Sequence, residues 1–279
     1  MLKQRIITAL ILAAVFLAAL FYLPIALFCV FIALVVLVGA WEWANLAGWS
    51  ATWQRFGYVA VIALVMILVA AYLGLWSRND GGDVEAYRSL ILLGCGWWAL
   101  ALLLVQGYPS SAILWGTTAV RLLMGVMVLI PTWIALVFVR AQPEGAWLVL
   151  LIVAVVACAD IGGYFAGRRW GKHKLKPAVS PGKTWEGFIG GVVANLVLAL
   201  VLWLVTANTL VILVALILPT SLFSVLGDLL ESMVKRHRGI KDSSALLPGH
   251  GGVLDRVDSL TAAAPVFALA LMASGGVGG

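Results

Sequence analysis

Seven carboxylates fall in the last 120 of the 279 residues: Asp160, Glu186, Asp228, Glu231, Asp242, Asp255 and Asp258. Two pairs stand three apart, Asp228 with Glu231 and Asp255 with Asp258. At that spacing like charges share one helix face and are mildly destabilising. Between the pairs run the cationic stretch Lys235-Arg236-His237-Arg238 and then Lys241-Asp242. The loop Leu247-Pro248-Gly249-His250-Gly251-Gly252 follows, and its glycines let backbone approach a ligand closely. A divalent cation shared between the pairs relieves their repulsion. Ion pairing with Lys235, Arg236, Arg238 and Arg256 would relieve it equally, and spacing leaves both readings open. Oxygen donors without paired His or Cys point to Mg²⁺ or Mn²⁺ rather than zinc. His250 alone among glycines reads as structural or catalytic.

Two upstream segments carry related chemistry. Asp160 ends an otherwise apolar stretch, where a charge is costly unless paired or hydrated, and it is followed by Arg168, Arg169, Lys172, Lys174 and Lys176. Ser180-Pro181-Gly182-Lys183-Thr184-Trp185-Glu186-Gly187 then leads into an apolar run. Gly-Lys-Thr is part of a P-loop, but that motif needs a glycine where this chain has Pro177, and a β-strand before it. An apolar helical chain offers no such strand, so the P-loop is rejected. Lys183 with the hydroxyls of Ser180 and Thr184 still suits phosphate oxygens at a helix N-terminus. A capping box formed by Thr184 and Glu186 is the plainer reading.

The elements that hold these residues follow from composition. With 63% hydrophobic and 11% charged residues, and a mean hydropathy of +1.09, there is too little polar side chain for a soluble surface. A bilayer span takes about 20 apolar residues. That length predicts an all-α polytopic integral membrane protein with about nine transmembrane helices, near residues 6–22, 24–42, 57–76, 89–107, 122–139, 146–165, 188–207, 209–227 and 257–274. Residues 1–140 read as an N-terminal scaffold of about five helices with almost no ionisable groups. Residues 141–279 read as the catalytic region, with loops at 166–187 and 228–256. Alternation from a cytoplasmic N-terminus puts 15 of the 18 cations on the inner side, leaving only Arg78, Arg88 and Arg140 outside. Cys29, Cys95 and Cys158 sit in apolar runs and read as small buried hydrophobes. There is no internal repeat of the kind transporters show. The residues thus converge on phosphoryl or nucleotidyl transfer to a lipid in the membrane.

The 27-residue stretch from Ser232 to Asp258 resembles the signature of the phosphatidate cytidylyltransferases (CDP-diacylglycerol synthases), with no position missed. Ser180–Gly187 and Asp160-x-Gly162-x-Tyr164 are similar to further family segments in the expected order. Gly163 stands where members often carry Ala. The resemblance implies that CTP and phosphatidate give CDP-diacylglycerol and pyrophosphate with Mg²⁺, a second cation being left open. It implies Asp228 and Asp255 as metal ligands, with Glu231, Asp258 and Asp160 in support. Lys183, Lys235, Arg236, Lys241 and Arg256 would hold phosphate oxygens. Ser180 and Thr184 would bond phosphate, while His250, Gly251 and Gly252 would shape the nucleotide loop. The partners expected are the bilayer and the two substrates, with no nucleic acid; a homodimer is left open. The implied setting is the cell (inner) membrane with the site facing the cytoplasm. A CTP-dependent lipid or polyprenol kinase is the alternative.

Overall fold

The computed structural model describes residues 2–75, 83–206 and 208–275, with side chains described from Ile6 onward. Arg78, the side chains of Lys3 and Arg5, positions 76 and 207 at two expected span ends, and residues 276–279 lie outside the described residues. The helices are α1 (Leu2–Tyr22), α2 (Ile25–Ala47), α3 (Thr52–Tyr72), α4 (Val84–Gly107), the single turn α5 (Ala112–Trp115), α6 (Thr118–Ala141), α7 (Gly145–Trp170), α8 (Trp185–Val205), α9 (Leu210–His237) and α10 (Leu254–Ala273). Among the described residues, α2 to α4 and α6 to α10 are long and apolar enough to cross a membrane. The apolar part of α1, Ile6–Tyr22, is shorter. Every expected span coincides with one of these helices.

Local chemistry sets the boundaries. Asp83 accepts hydrogen bonds from Glu85 N and Ala86 N at 3.0 and 3.3 Å, and the hydroxyls of Thr117, Thr184 and Thr209 cap α6, α8 and α9. These side chains accept from N–H groups that a helix start leaves without partners. At the end of α2, Gly48 takes φ +109°, and Trp49 N donates back to Ala44 O at 2.8 Å.

The all-α expectation holds for the fold, and only the narrower reading that the chain offers no strand is overturned, locally. β1 (Lys174–Lys176) and β2 (Ser180–Thr184) form an antiparallel hairpin between α7 and α8. Pro177 and Pro181 exclude a helix here, and the lysines keep the segment out of lipid. Gly182-Lys183-Thr184 therefore does lie on a strand running into a helix. The P-loop is excluded by its glycine spacing, not by the lack of a strand.

The middle helix is α6, packed against α2, α4, α7 and α10, and it is buried over most of its length. On the other flank, α7 and α8 touch backbone to backbone. A Cβ on Gly162 would come within 2.6 Å of Gly190 O, one on Gly191 within 2.7 Å of Ala159 O, and one on Gly187 within 2.8 Å of Gly163 O. Small residues permit this approach where lipid supplies no hydrophobic drive between helices. Asn195, fully buried on α8, donates to Val155 O at 3.1 Å and to Ser221 Oγ at 2.8 Å, tying α7 and α9 to the same seam. Gly190→Val is expected to push into Ala166 and lower the melting temperature of the detergent-solubilised chain. Overpacking of this kind costs about 1–3 kcal/mol. Unchanged melting would mean that the seam is looser than described.

Candidate active site at one end of the bundle

Polar contacts gather the C-terminal ends of α2, α7 and α9 with the N-terminal ends of α6, α8 and α10. Lys183 on β2 meets Asp228 on α9, with Nζ 2.7 Å from Oδ2, and Ser232 Oγ donates to Asp228 Oδ1 at 3.0 Å. Arg236 Nε donates to Val179 O at 3.3 Å, a second tie between α9 and the hairpin. Thr184 is buried and spends its hydroxyl oxygen on Gly187 N at 3.1 Å, starting α8. Glu186 faces His173, with Oε1 2.6 Å from Nδ1, and holds the hairpin's first residues to α8. Ser180 begins β2 opposite Lys176.

A cavity of about 360 Å³ opens beside the Lys183–Asp228 pair, between α7, α8 and α9. Asp160, Arg168, Lys183 and Thr184 line its charged part; Phe188, Val192 and Val225 line the rest. The bare glycines of the α7–α8 seam leave this space. The charge of Asp228 acts on both Asp160 and Asp258. Gly227 supports that proximity: a Cβ there would clash with the backbone of Asp258 and Ser259, so α9 and α10 approach closely where both helices carry acids.

The second carboxylate pair is wired differently. Lys235 Nζ lies 2.7 Å from Asp255 Oδ1 and 3.1 Å from Glu231 Oε1, bridging α9 and α10 in a buried setting. Asp255 Oδ2 accepts from Gly252 N at 2.8 Å, Ser243 N at 2.9 Å and Ser243 Oγ at 2.9 Å. Asp255 is thus the anchor of the 238–253 loop. Gly251 takes φ +80°, and a Cβ there would lie 2.7 Å from Asp255 Oδ2. Beyond it, Lys241, Asp242, Ser244, His250, Gly251 and Arg256 surround a polar cavity of about 630 Å³. The expected site residues therefore separate into two neighbouring groups joined through Lys235. Asp228 and Asp255 each face a lysine, Lys183 and Lys235 respectively. Among the described residues, no three His, Cys, Asp or Glu side chains form a ready metal cage.

One central residue was expected to belong to a chemically bare scaffold. Glu42 on α2 is fully buried, yet it holds the loop and the start of α10 together. It accepts from Leu254 N at 2.7 Å, Val253 N at 3.0 Å, Ser243 Oγ at 3.3 Å and Ser244 Oγ at 2.5 Å. A Cβ on Gly252 would lie 2.6 Å from Glu42 Oε1, which explains a glycine at this position. Asn45, one turn further along α2, donates to Ser243 O at 3.4 Å. The first five helices thus supply part of the site's frame. A lone acid inside a 23-residue apolar helix was the available signal.

Bundle and site together define a polytopic membrane protein with lysine–carboxylate pairs and two cavities at one end of its helices. The family model described as "Cytidylyltransferase family" matches residues 3–274. The phosphatidate cytidylyltransferase of Pseudomonas aeruginosa is 48% identical over 278 residues, covering 99% of this chain and 98% of that protein. That of Haemophilus influenzae is 41% identical over 287 aligned positions, with 96% and 97% covered. That of Staphylococcus aureus (strain COL) is 46% identical over 139 residues, about half of each chain. The chain belongs to the cytidylyltransferase family.

Proposed function

We propose that this chain transfers the cytidylyl group of CTP to phosphatidate, leaving CDP-diacylglycerol in the bilayer and releasing pyrophosphate. The full-length relatives carry that activity in their names. The observation that carries the reading is the contrast between the two cavities. One is charged at one end and apolar along the rest, which suits a phosphate-headed lipid. The other is ringed by Lys241, His250 and Arg256 on a glycine-bearing loop, which suits a nucleotide triphosphate.

In this reading, Lys183 and Arg168 hold the lipid phosphate at the mouth of the first cavity. Lys241 and Arg256 hold the triphosphate in the second, with His250 and Gly251 shaping its wall. An oxygen of the phosphatidate phosphate attacks the α-phosphorus. The bond from that phosphorus to the bridging oxygen breaks, and pyrophosphate leaves with the electron pair. Catalysis of such a transfer is chiefly positioning and neutralisation of charge, and no side-chain nucleophile is required. Lys235, clasped by Glu231 and Asp255, fixes α9 against α10 so that both cavities keep their relation. Arg236 fixes the hairpin to α9 in the same way.

The donor set fits Mg²⁺. This ion characteristically takes one or two carboxylates, completing its shell with waters and substrate phosphates. Asp228, with Asp160 and Asp258 near it, supports such a position, and the Lys183 ammonium 2.7 Å from Asp228 already occupies a cation-favouring spot. We assign Asp228 as the leading ligand. Asp255, expected to share the ion, is assigned to the loop because one of its oxygens accepts from three loop donors while the other faces the buried Lys235 ammonium. When bound, the ion neutralises the triphosphate and the charge growing on the leaving group. The distribution of cations supports a cytoplasmic orientation of this face in the inner membrane.

The full-length chain purified in detergent, given CTP, phosphatidate and Mg²⁺, is expected to yield CDP-diacylglycerol and pyrophosphate in equal amounts. Release of CDP with a phosphorylated lipid would favour the kinase reading. Neither product from a folded chain would refute both.

A further inference from the structure

Two arginines outside both cavities face each other where α2 ends, α6 begins and α9 ends. A Cβ on Gly48 would lie 3.6 Å from Arg121 Nη2, 3.9 Å from Arg238 Cζ and 3.3 Å from Thr118 Oγ1, so all three groups converge on one point. Arg121 is only 7% exposed. Its Nε and Nη1 are buried without a hydrogen-bond partner among the described residues, and so is Arg238 Nε. The two positive charges act on one another. Arg121 also lies in the first turn of α6, where the helix's own partial charge is positive. A buried guanidinium with unmet donors is costly, and a second beside it raises that cost. Among the described residues no carboxylate forms an ion pair with either arginine, and the Thr118 hydroxyl that shares their position beside Gly48 is neutral.

We propose that Arg121 and Arg238 form a separate anion site that takes a phosphate group. Two guanidinium forks offer paired N–H donors matched to phosphate oxygens, and the Thr118 hydroxyl adds a third donor. The site lies at the same end of the bundle as the loop, at the membrane boundary. There the phosphate belongs either to an anionic lipid headgroup or to a soluble phosphate. The inference stands whether or not the catalytic reading holds.

The test measures thermal unfolding of the full-length chain in detergent, in chloride buffer, with added inorganic phosphate, or with phosphatidylglycerol in the micelles. Wild type is expected to melt higher with at least one of the two. Arg121→Gln and Arg238→Gln are expected to lose that rise, while Lys183→Gln in the first cavity keeps it. In chloride alone, Arg121→Gln is expected to melt no lower than wild type, since it removes an uncompensated charge. A rise with phosphate alone assigns a soluble ligand; a rise with the lipid alone assigns a headgroup; a rise with both leaves the phosphate group as the shared determinant. The proposal falls if neither addition shifts the wild type, or if the arginine variants respond as it does. Should Arg121→Gln fail to fold, Arg238→Gln, at a half-buried helix end, is read by the same criteria.

Discussion

Asp228→Asn is expected to leave a folded, inserted chain whose turnover is lower by about 10²–10³-fold, the scale on which removal of one charge-stabilising group acts. The change is nearly isosteric and keeps an acceptor for Ser232 Oγ, which lies 3.0 Å away. It removes the charge that faces Lys183 at 2.7 Å. The Lys183 side chain is 24% exposed, so its ammonium can hydrate when the partner is neutral and the fold is not put at risk. What is lost is the acid assigned to Mg²⁺. Turnover and melting temperature must therefore separate, the first collapsing while the second stays within a few degrees of wild type. Near-normal turnover at saturating Mg²⁺ would remove Asp228 from the ligand set.

Glu42→Ala is expected to produce the opposite pattern, a fall in stability and activity together. Its carboxylate accepts from two backbone N–H groups and the Ser244 hydroxyl in a buried setting, and it shares the Ser243 hydroxyl with Asp255. Each buried donor left without an acceptor costs about 1–3 kcal/mol. Partial relaxation and water entry reduce the sum, leaving a net loss of about 2–4 kcal/mol. The loop from Arg238 to Val253 then loses its fixed position, and KM for CTP is expected to rise more than KM for phosphatidate. Glu42→Gln keeps one acceptor oxygen but turns an NH₂ toward N–H donors, so it should fall between wild type and Ala. If the Ala chain melts and turns over like wild type, Glu42 has no part in holding the loop.

The spans were legible because a bilayer demands runs of about 20 apolar residues, and this chain supplies them with few breaks. The polar stretches that build the cavities were legible for the same reason: charge stands out in so apolar a chain. What spacing could not decide was pairing. Two acids three apart invite a metal or a lysine equally well, and only the fold sets Lys183 beside Asp228 and Lys235 between Glu231 and Asp255. The hairpin was hidden because a three-residue and a five-residue strand leave no periodic trace. Glu42 and Arg121 were hidden differently. Their neighbours are far along the chain, Leu254 for one and Arg238 for the other, and a side chain's local sequence says nothing about such distant contacts. The rule that singles out Asp160, an acid inside an apolar helix, applies to Glu42 with equal force.

The clasp between Glu42 and the start of α10 has a consequence for recombining this chain with its relatives. A breakpoint anywhere between α2 and α10 splits a carboxylate from the amides it holds, although the two lie more than 200 residues apart in sequence. Hybrids that inherit the C-terminal half from one parent and the N-terminal half from another will fold around the loop only when the N-terminal parent puts an acid at this spot and the C-terminal parent presents its donors there. The heritable unit of the site is therefore the whole bundle, not its polar half.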